Sequence, residues 1–262
     1  MRLSREEFLK GCTNPVGMQE LLEQAEKVFK TWQPSWSSFL SAPLREEALR
    51  RLSPLNNLYW HSDGGHPGAE RQRLQCIRYE DEISITETSA PIEGLLIEGN
   101  FLFDRASAKD FRKSLEIIGV PQGSIGDVWT KGDRGAQALC TPEAAKVLNG
   151  SIGKVRDVQI HCEAVNKKEL QIPTPRLCKM FSTVEASTRL DAIASAGFGL
   201  SRAKIITQIK EGRLRLNWLP VKQACKELAV GDRLQLEQRG SIEILSLEMT
   251  KRQRWKVQLL RR

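Results

Sequence analysis

Two hydrophobic periods alternate along the chain. Between positions 15 and 32, PVGMQELLEQAEKVFKTW sets Met18, Leu21, Leu22, Ala25, Val28, Phe29 and Trp32 three and four residues apart, the spacing of one helical stripe. Pro34 and Pro43 interrupt it within QPSWSSFLSAP, and PLREEALRRLS resumes it with Leu44, Ala48, Leu49 and Leu52. Residues 1–53 are therefore expected to form a helical N-terminal region whose apolar face must be covered by something else.

From residue 54 to 165 the period switches back and forth. IEGLLIEGNFLF reads as a strand, and SAKDFRKSLEIIGV as a helix capped by Ser107 and ended before Gly119. SIGDVWT and GAQALCT read as strands around a KGDRG turn. TPEAAKVLNG is a helix with Thr141 as cap and Pro142 in its first turn, and KVRDVQIHCEAV is a final strand. Strand–helix–strand–strand–helix–strand is the split βαβ order, so an α+β middle domain is expected at 54–165. LNNLYW and RLQCIRY are two further strand-like pieces, expected to extend the same sheet. Residues 166–183, with Pro173 and Pro175 and no period, read as a linker.

The remaining residues, 184–262, form a third pattern. STRLDAIASAG is a short helix capped by Ser187 or Thr188 and ending at Gly197. LSRAKIITQIKEG is a second, starting at Ser201 and ending at Gly212, with Ile205, Ile206 and Ile209 facing inward. RLRLNW then alternates, with Leu214, Leu216 and Trp218 on one face and Arg213, Arg215 and Asn217 on the other. GDRLQL and RWKVQLL repeat that alternation.

Charge changes the picture once it is located. The net charge is +8, yet residues 1–182 hold 24 Lys+Arg and 24 Asp+Glu, whereas residues 183–262 hold 16 and 8. A basic module on a neutral body is the footprint of a polyanion binder. Arg189, Arg202, Lys204, Lys210, Arg213, Arg215 and Lys222 are expected to converge on one outer surface. Lys251, Arg252 and Arg254 either extend that surface or form a solvated edge. The six cysteines are scattered without a CxxC pair and are expected to be reduced thiols, with no structural metal and no cofactor. No stretch approaches 18 apolar residues, so no membrane span is expected. The leading MRLSREEFLKGC has no apolar run of the kind a signal peptide needs.

The basic segment carries a family resemblance. RLDAIASAGFGLSRAKIITQIKEGRLRLNWLPVKQACKELAVGDRLQLEQRG resembles the S4-type RNA-binding domain in its RLD, its SR, the glycine after the second helix, its strand ending in Asn217 and its GD. Trp218 stands where many members have glycine, which puts that turn in doubt. The whole chain further resembles the YlmH-like proteins, with HPGAERQR and NFLFDRASAKDFRKSLEIIGV…IGDVW in the middle region. The LNW ending of the strand also resembles one branch of them in particular, the cyanobacterial and plastid group labelled photosystem II S4-domain proteins. The resemblance implies a helical N-terminal region, an RRM-like middle domain and a small C-terminal S4-type α/β domain. It also implies binding of structured RNA, ribosomal RNA or ribosome-bound tRNA, on a ribosomal subunit, in the cytoplasm or a plastid stroma. Ser201 and Asn217 join the basic residues in the implied RNA-binding set, and no small-molecule substrate and no enzyme activity are implied.

Sharper readings compete. RLDAIASAG echoes the catalytic R-L-D segment of pseudouridine synthases, an RNA-modifying class in which Asp191 would be the catalyst. Only 71 residues follow Asp191, too few for such a catalytic core, and a structural aspartate is the better expectation. His61, Asp63 and His66 would need a further ligand to hold a metal, and DGGHPG around them reads as a turn. His161 on a strand reads as a satisfied histidine. KGDRGAQALCT lacks the aromatics on which an RRM stacks bases, leaving only backbone contacts through Lys131 and Arg134. GVPQGSIGD lacks the GK[ST] ending of a phosphate loop. Trp218 either stacks on a base or fills the core, and its parity with Leu214 and Leu216 favours the core.

Overall fold

The computed structural model describes residues 5–55, 57–79, 87–172, 178–236 and 239–262. It divides into two compact units, Met1–Pro173 and Thr174–Arg262.

The first unit opens with three helices, α1 (Arg5–Leu9), α2 (Pro15–Thr31) and α3 (Ala42–Leu52). The apolar stripe is buried as its spacing requires, with Met18, Leu21, Leu22, Ala25 and Val28 packed on Leu44, Ala48 and Leu52. Its cover is a three-stranded antiparallel sheet of β1 (Ser35–Trp36), β2 (Leu58–Asp63) and β3 (Arg73–Arg78), in the order β1-β3-β2. Leu58, Leu74 and Cys76 complete that core. LNNLYW and RLQCIRY therefore do not extend the middle sheet. They pair with each other because the α2–α3 stripe needs a lid. The helical region accordingly does not close at residue 53; its core runs on to Cys76.

The second layer comprises β4 (Glu93–Glu98), α4 (Ala108–Ile117), β5 (Ile125–Thr130), β6 (Gly135–Cys140), α5 (Pro142–Leu148), β7 (Ile152–Val155) and β8 (Val158–Val165). The sheet is antiparallel throughout, in the order β5-β6-β4-β8-β7. Without β7 this is the expected split βαβ arrangement. KVRDVQIHCEAV is not one strand: Arg156, at φ +53°, and Asp157 fold it into a β7–β8 hairpin. Ser107 and Asp110 form a reciprocal capping box on α4, and Thr141 caps α5.

Alternation along β4 and β6 sends Leu95, Ile97, Ala136 and Ala138 toward α4 and α5. The opposite face, with Leu96, Leu139 and Trp129, meets Phe39, Ile92 and Leu170. Both faces of the sheet are closed. Gly135 is obligatory here, since at φ +121° a Cβ would run into the Ile97 carbonyl.

The second unit consists of β9 (Lys179–Glu185), α6 (Leu190–Phe198), α7 (Arg202–Lys210), β10 (Leu214–Leu216), β11 (Leu219–Pro220), β12 (Arg233–Leu236), β13 (Gly240–Met249) and β14 (Trp255–Arg261). Its sheet runs β11-β10-β12-β13-β14-β9, all antiparallel. The expected linker at 166–183 needs correction: Lys179–Glu185 pairs along β14 as an edge strand, and Lys167–Glu169 is a capped 3-10 turn. Pro173 and Pro175 lie outside the described residues.

Helix α6 continues one residue past Gly197, and Gly199, at φ +65°, is its left-handed cap. Gly197 serves a different need, because a Cβ there would collide with Ile242 of the sheet beneath. Ile205 and Ile209 are buried, whereas Ile206 faces outward.

Candidate nucleic-acid interface

Helix α7 places its first turn in water. Ser201 caps it by accepting from the Lys204 amide at 3.3 Å, so this hydroxyl serves the helix. Arg202 and Lys204 occupy that first turn, both are exposed, and no acidic residue accompanies them there. A helix N-terminus already carries about half a positive charge, so stability alone would favour acids at these positions. Cations placed there suit an external anion.

Arg202 is held only loosely, its Nη2 3.9 Å from Glu185 Oε2 at the end of β9. Glu185 lies opposite Trp255 across the sheet. The β13–β14 turn carrying Lys251, Arg252 and Arg254 therefore sits at the same end of the unit as the start of α7. That turn is fixed by the Thr250 amide donating to the Arg254 carbonyl at 2.7 Å, and its three cations are exposed.

The other basic residues form a second group. Lys210 ends α7, Arg213 follows it with its Nε 3.4 Å from Glu211, and Arg215 lies on β10, four strand spacings (roughly 19 Å) across the sheet from β9. Lys222 is exposed beyond β11. Arg189 joins this side, because residues 188–191 pair with 224–228. Its guanidinium grips Asp191 through two hydrogen bonds of 3.1 Å. The basic residues thus fall into two groups, one by the β13–β14 turn and one by β10, with α7 running between them. Lys226, passed over in the sequence, is exposed beside Arg189; its only signal was its place between Lys222 and Glu227.

Asn217 and Trp218 form the two-residue turn joining β10 to β11, both at positive φ (+47° and +72°). Trp218 thus takes a positive φ at a turn position where glycine is usual. Asn217 donates to Asp232 Oδ1 at 2.7 Å and accepts from the Arg233 amide at 2.9 Å, so its amide is engaged inside the domain. Trp218 is not a third strand residue in line with Leu214 and Leu216. The turn takes it off that face and leaves it half-buried.

The rival chemistries do not assemble among the described residues. Asp191 is 5% exposed and committed to Arg189. His61 lies 3.4 Å from Glu87, Asp63 accepts from the Gly65 and Ala90 amides, and His66 pairs with Asp127 at 3.0 Å. These three expected partners are each used separately, and no group of metal-ligating side chains occurs among the described residues. Burial pushes the Cys76 and Cys140 thiols up to about 12, which keeps them protonated and unreactive at neutral pH. A groove of about 350 Å³ between α2 and β1 is lined by Glu20, Glu23, Gln24, Lys27 and Ser35 among others, with neither histidine nor cysteine. No helix among the described residues is long and apolar enough to cross a membrane.

Comparison with known proteins agrees with this architecture. Residues 188–234, within the second unit, match the S4 domain model. Residues 14–80 match the model of the YlmH N-terminal region, so the chain is similar to YlmH-type proteins in its first unit and to S4 domains in its second. The 14–80 match takes in α2, α3 and all three strands of the first sheet. A relative in Bacillus subtilis (strain 168), ribosome-associated protein quality control protein P2, is 24% identical over 241 residues, covering 92% of each chain. The solved cell division protein ylmH from Streptococcus pneumoniae is 18% identical, with a TM-score of 0.43, over 64% of this chain and 95% of that one.

Proposed function

We propose that the chain is a non-enzymatic binder of structured RNA on the ribosome, anchored by its S4 domain. The observation that carries this reading is the exposed pair Arg202 and Lys204 at the positive end of α7, within the part of the chain that holds the whole charge excess. Guanidinium and ammonium groups on a rigid helix suit phosphate oxygens spaced along a folded RNA. Because A-form RNA hides its base edges in a deep groove, such a surface reads backbone and shape. Two basic groups bridged by α7 suit an RNA that presents two backbones, as a helical junction or two adjoining RNAs do. The printed name of the Bacillus relative supports a ribosomal setting, and the chain would act wherever ribosomes are, in cytoplasm or plastid stroma.

The test is equilibrium binding to purified small and large ribosomal subunits across a salt series. With about four to six phosphates contacted, log K against log salt should slope at roughly −3 to −5. Arg202→Glu with Lys204→Glu should weaken binding at least tenfold and flatten the slope by about two. An unchanged affinity in the folded double variant would remove α7 from the interface.

A further inference from the structure

The end of the five-stranded sheet where β4, β5 and β7 finish carries side chains that the S4 domain does not account for. Phe103 is 95% exposed and Leu102 55% exposed. Their loop is nevertheless tied down. The Phe101 amide donates to the Asp133 carbonyl at 2.8 Å, and the Gly99 amide to the Arg134 carbonyl at 3.3 Å. Arg156 Nε lies 2.8 Å from Asp104 Oδ1, and its Nη1 donates to the Arg105 carbonyl at 3.1 Å. The Ser107–Asp110 capping box fixes the residues that follow.

The fold does not need Phe103. Phe101 supplies the aromatic anchor from this loop, buried against Phe111 with ring centroids 4.9 Å apart. A ring held in water on a fixed loop costs hydration free energy and returns nothing to stability. Around it stand Arg105, Lys109, Lys131 and Arg134, all exposed and in no ion pair among the described residues. The acidic groups at this end are largely spent: Asp104 on Arg156, Asp157 on Lys154 at 3.5 Å, and Asp110 in the cap. Asp133, Asp157 and Glu98, the last residue of β4, are the exposed carboxylates at this end, against the four cations and the paired Lys154 and Arg156. The balance is positive.

We propose that this sheet end is a second RNA contact, independent of the S4 domain, which takes unpaired nucleotides. Phe103 stacks on a base while the four cations meet the flanking phosphates. The sheet face on which an RRM would stack bases is closed by Phe39, Ile92 and Leu170, so any stacking by this unit falls to its rim. A duplex offers no free base face to the ring, which restricts the ligand to single-stranded segments. A protein partner would need a groove to receive its apolar side chains, whereas Phe103 stands clear of its surroundings among like charges.

The test uses the full chain carrying Arg202→Glu and Lys204→Glu, so that the S4 domain contributes least. The probe is a twelve-nucleotide oligouridylate with one 4-thiouridine, cross-linked by light and mapped by mass spectrometry. The expected result is a cross-link within residues 99–106. Adding Phe103→Ala should weaken binding of the oligouridylate about fivefold or more, whereas Phe103→Tyr should retain it. Phe103 is exposed, so neither substitution should disturb folding. Cross-links confined to residues 174–262, or an affinity unchanged by Phe103→Ala, would overturn the proposal. The S4 reading is tested by ribosomal-subunit binding of the chain with Arg202 and Lys204 intact, so a failure here leaves it standing, and the reverse.

Discussion

Arginine is put to opposite uses in the two units. In the first, apart from surface residues such as Arg105 and Arg134, several guanidinium groups are turned inward and stitched to backbone carbonyls. Arg71 donates to the carbonyls of Ile125 and Phe39 at 3.0 and 2.9 Å, and Arg73 to those of Ser37 and Pro91 at 2.7 and 2.6 Å. Arg51 reaches the carbonyls of Phe8 and Lys10, and Arg112 that of Gly126. Burial lowers the pKa values of Arg71 and Arg73, although a guanidinium remains charged at any physiological pH. In the second unit Arg202, Arg252 and Arg254 stand in water on fixed elements. A count of basic residues therefore says little until the destination of each donor is known. Those that satisfy carbonyls hold the first unit together, and those that satisfy nothing inside are available to phosphate.

Each side of that comparison can be broken separately. Arg73→Ala should have the largest effect on folding, lowering the stability of the first unit by about 3 kcal/mol, since two carbonyls lose a charged donor. Thermal unfolding would register it, and binding to ribosomal subunits by the protein that stays folded should not change. Lys204→Glu should act in the reverse way. Ribosome affinity falls several-fold, while α7 gains about 0.5 kcal/mol because an acid now faces the positive end of the helix. A loss of both affinity and stability in Lys204→Glu would mean the lysine is structural.

Asn217→Ala tests a residue that the family resemblance implied for RNA binding but whose amide the fold employs. It should destabilise the second unit by about 1–2 kcal/mol through the lost bonds to Asp232 and Arg233, with the salt slope of binding unaltered. Ser107→Ala should cost about 1 kcal/mol in the first unit, read by denaturant unfolding, and should have the smallest effect on function, with none on RNA.

What was legible in the sequence was local. The α2 stripe, the Ser107 and Thr141 caps, the split βαβ order and the basic helix α7 each follow from residues close together in the chain. What was hidden required knowledge of partners. The β2 and β3 segments have the pattern of any half-buried strand, and only the uncovered face of α2 and α3 decides which sheet they join. Strand β9 escaped notice because apolar residues point both ways along it, Phe181 inward and Met180 and Val184 outward. Gly197 and Gly199 look alike in sequence, yet one lets the helix approach Ile242 and the other ends it. The S4 surface was legible as a set of cations but not as two clusters, since the separation depends on strand order.

The division of labour between the units is tested most directly by binding purified ribosomal subunits at low salt with the full chain and with a fragment comprising residues 1–173. The cut falls at the boundary between the compact units and leaves β9 out of the fragment. The account predicts that the full chain binds and that the fragment binds at least tenfold more weakly. Equal binding by the two would contradict it and would move the ribosomal anchor to the neutral unit.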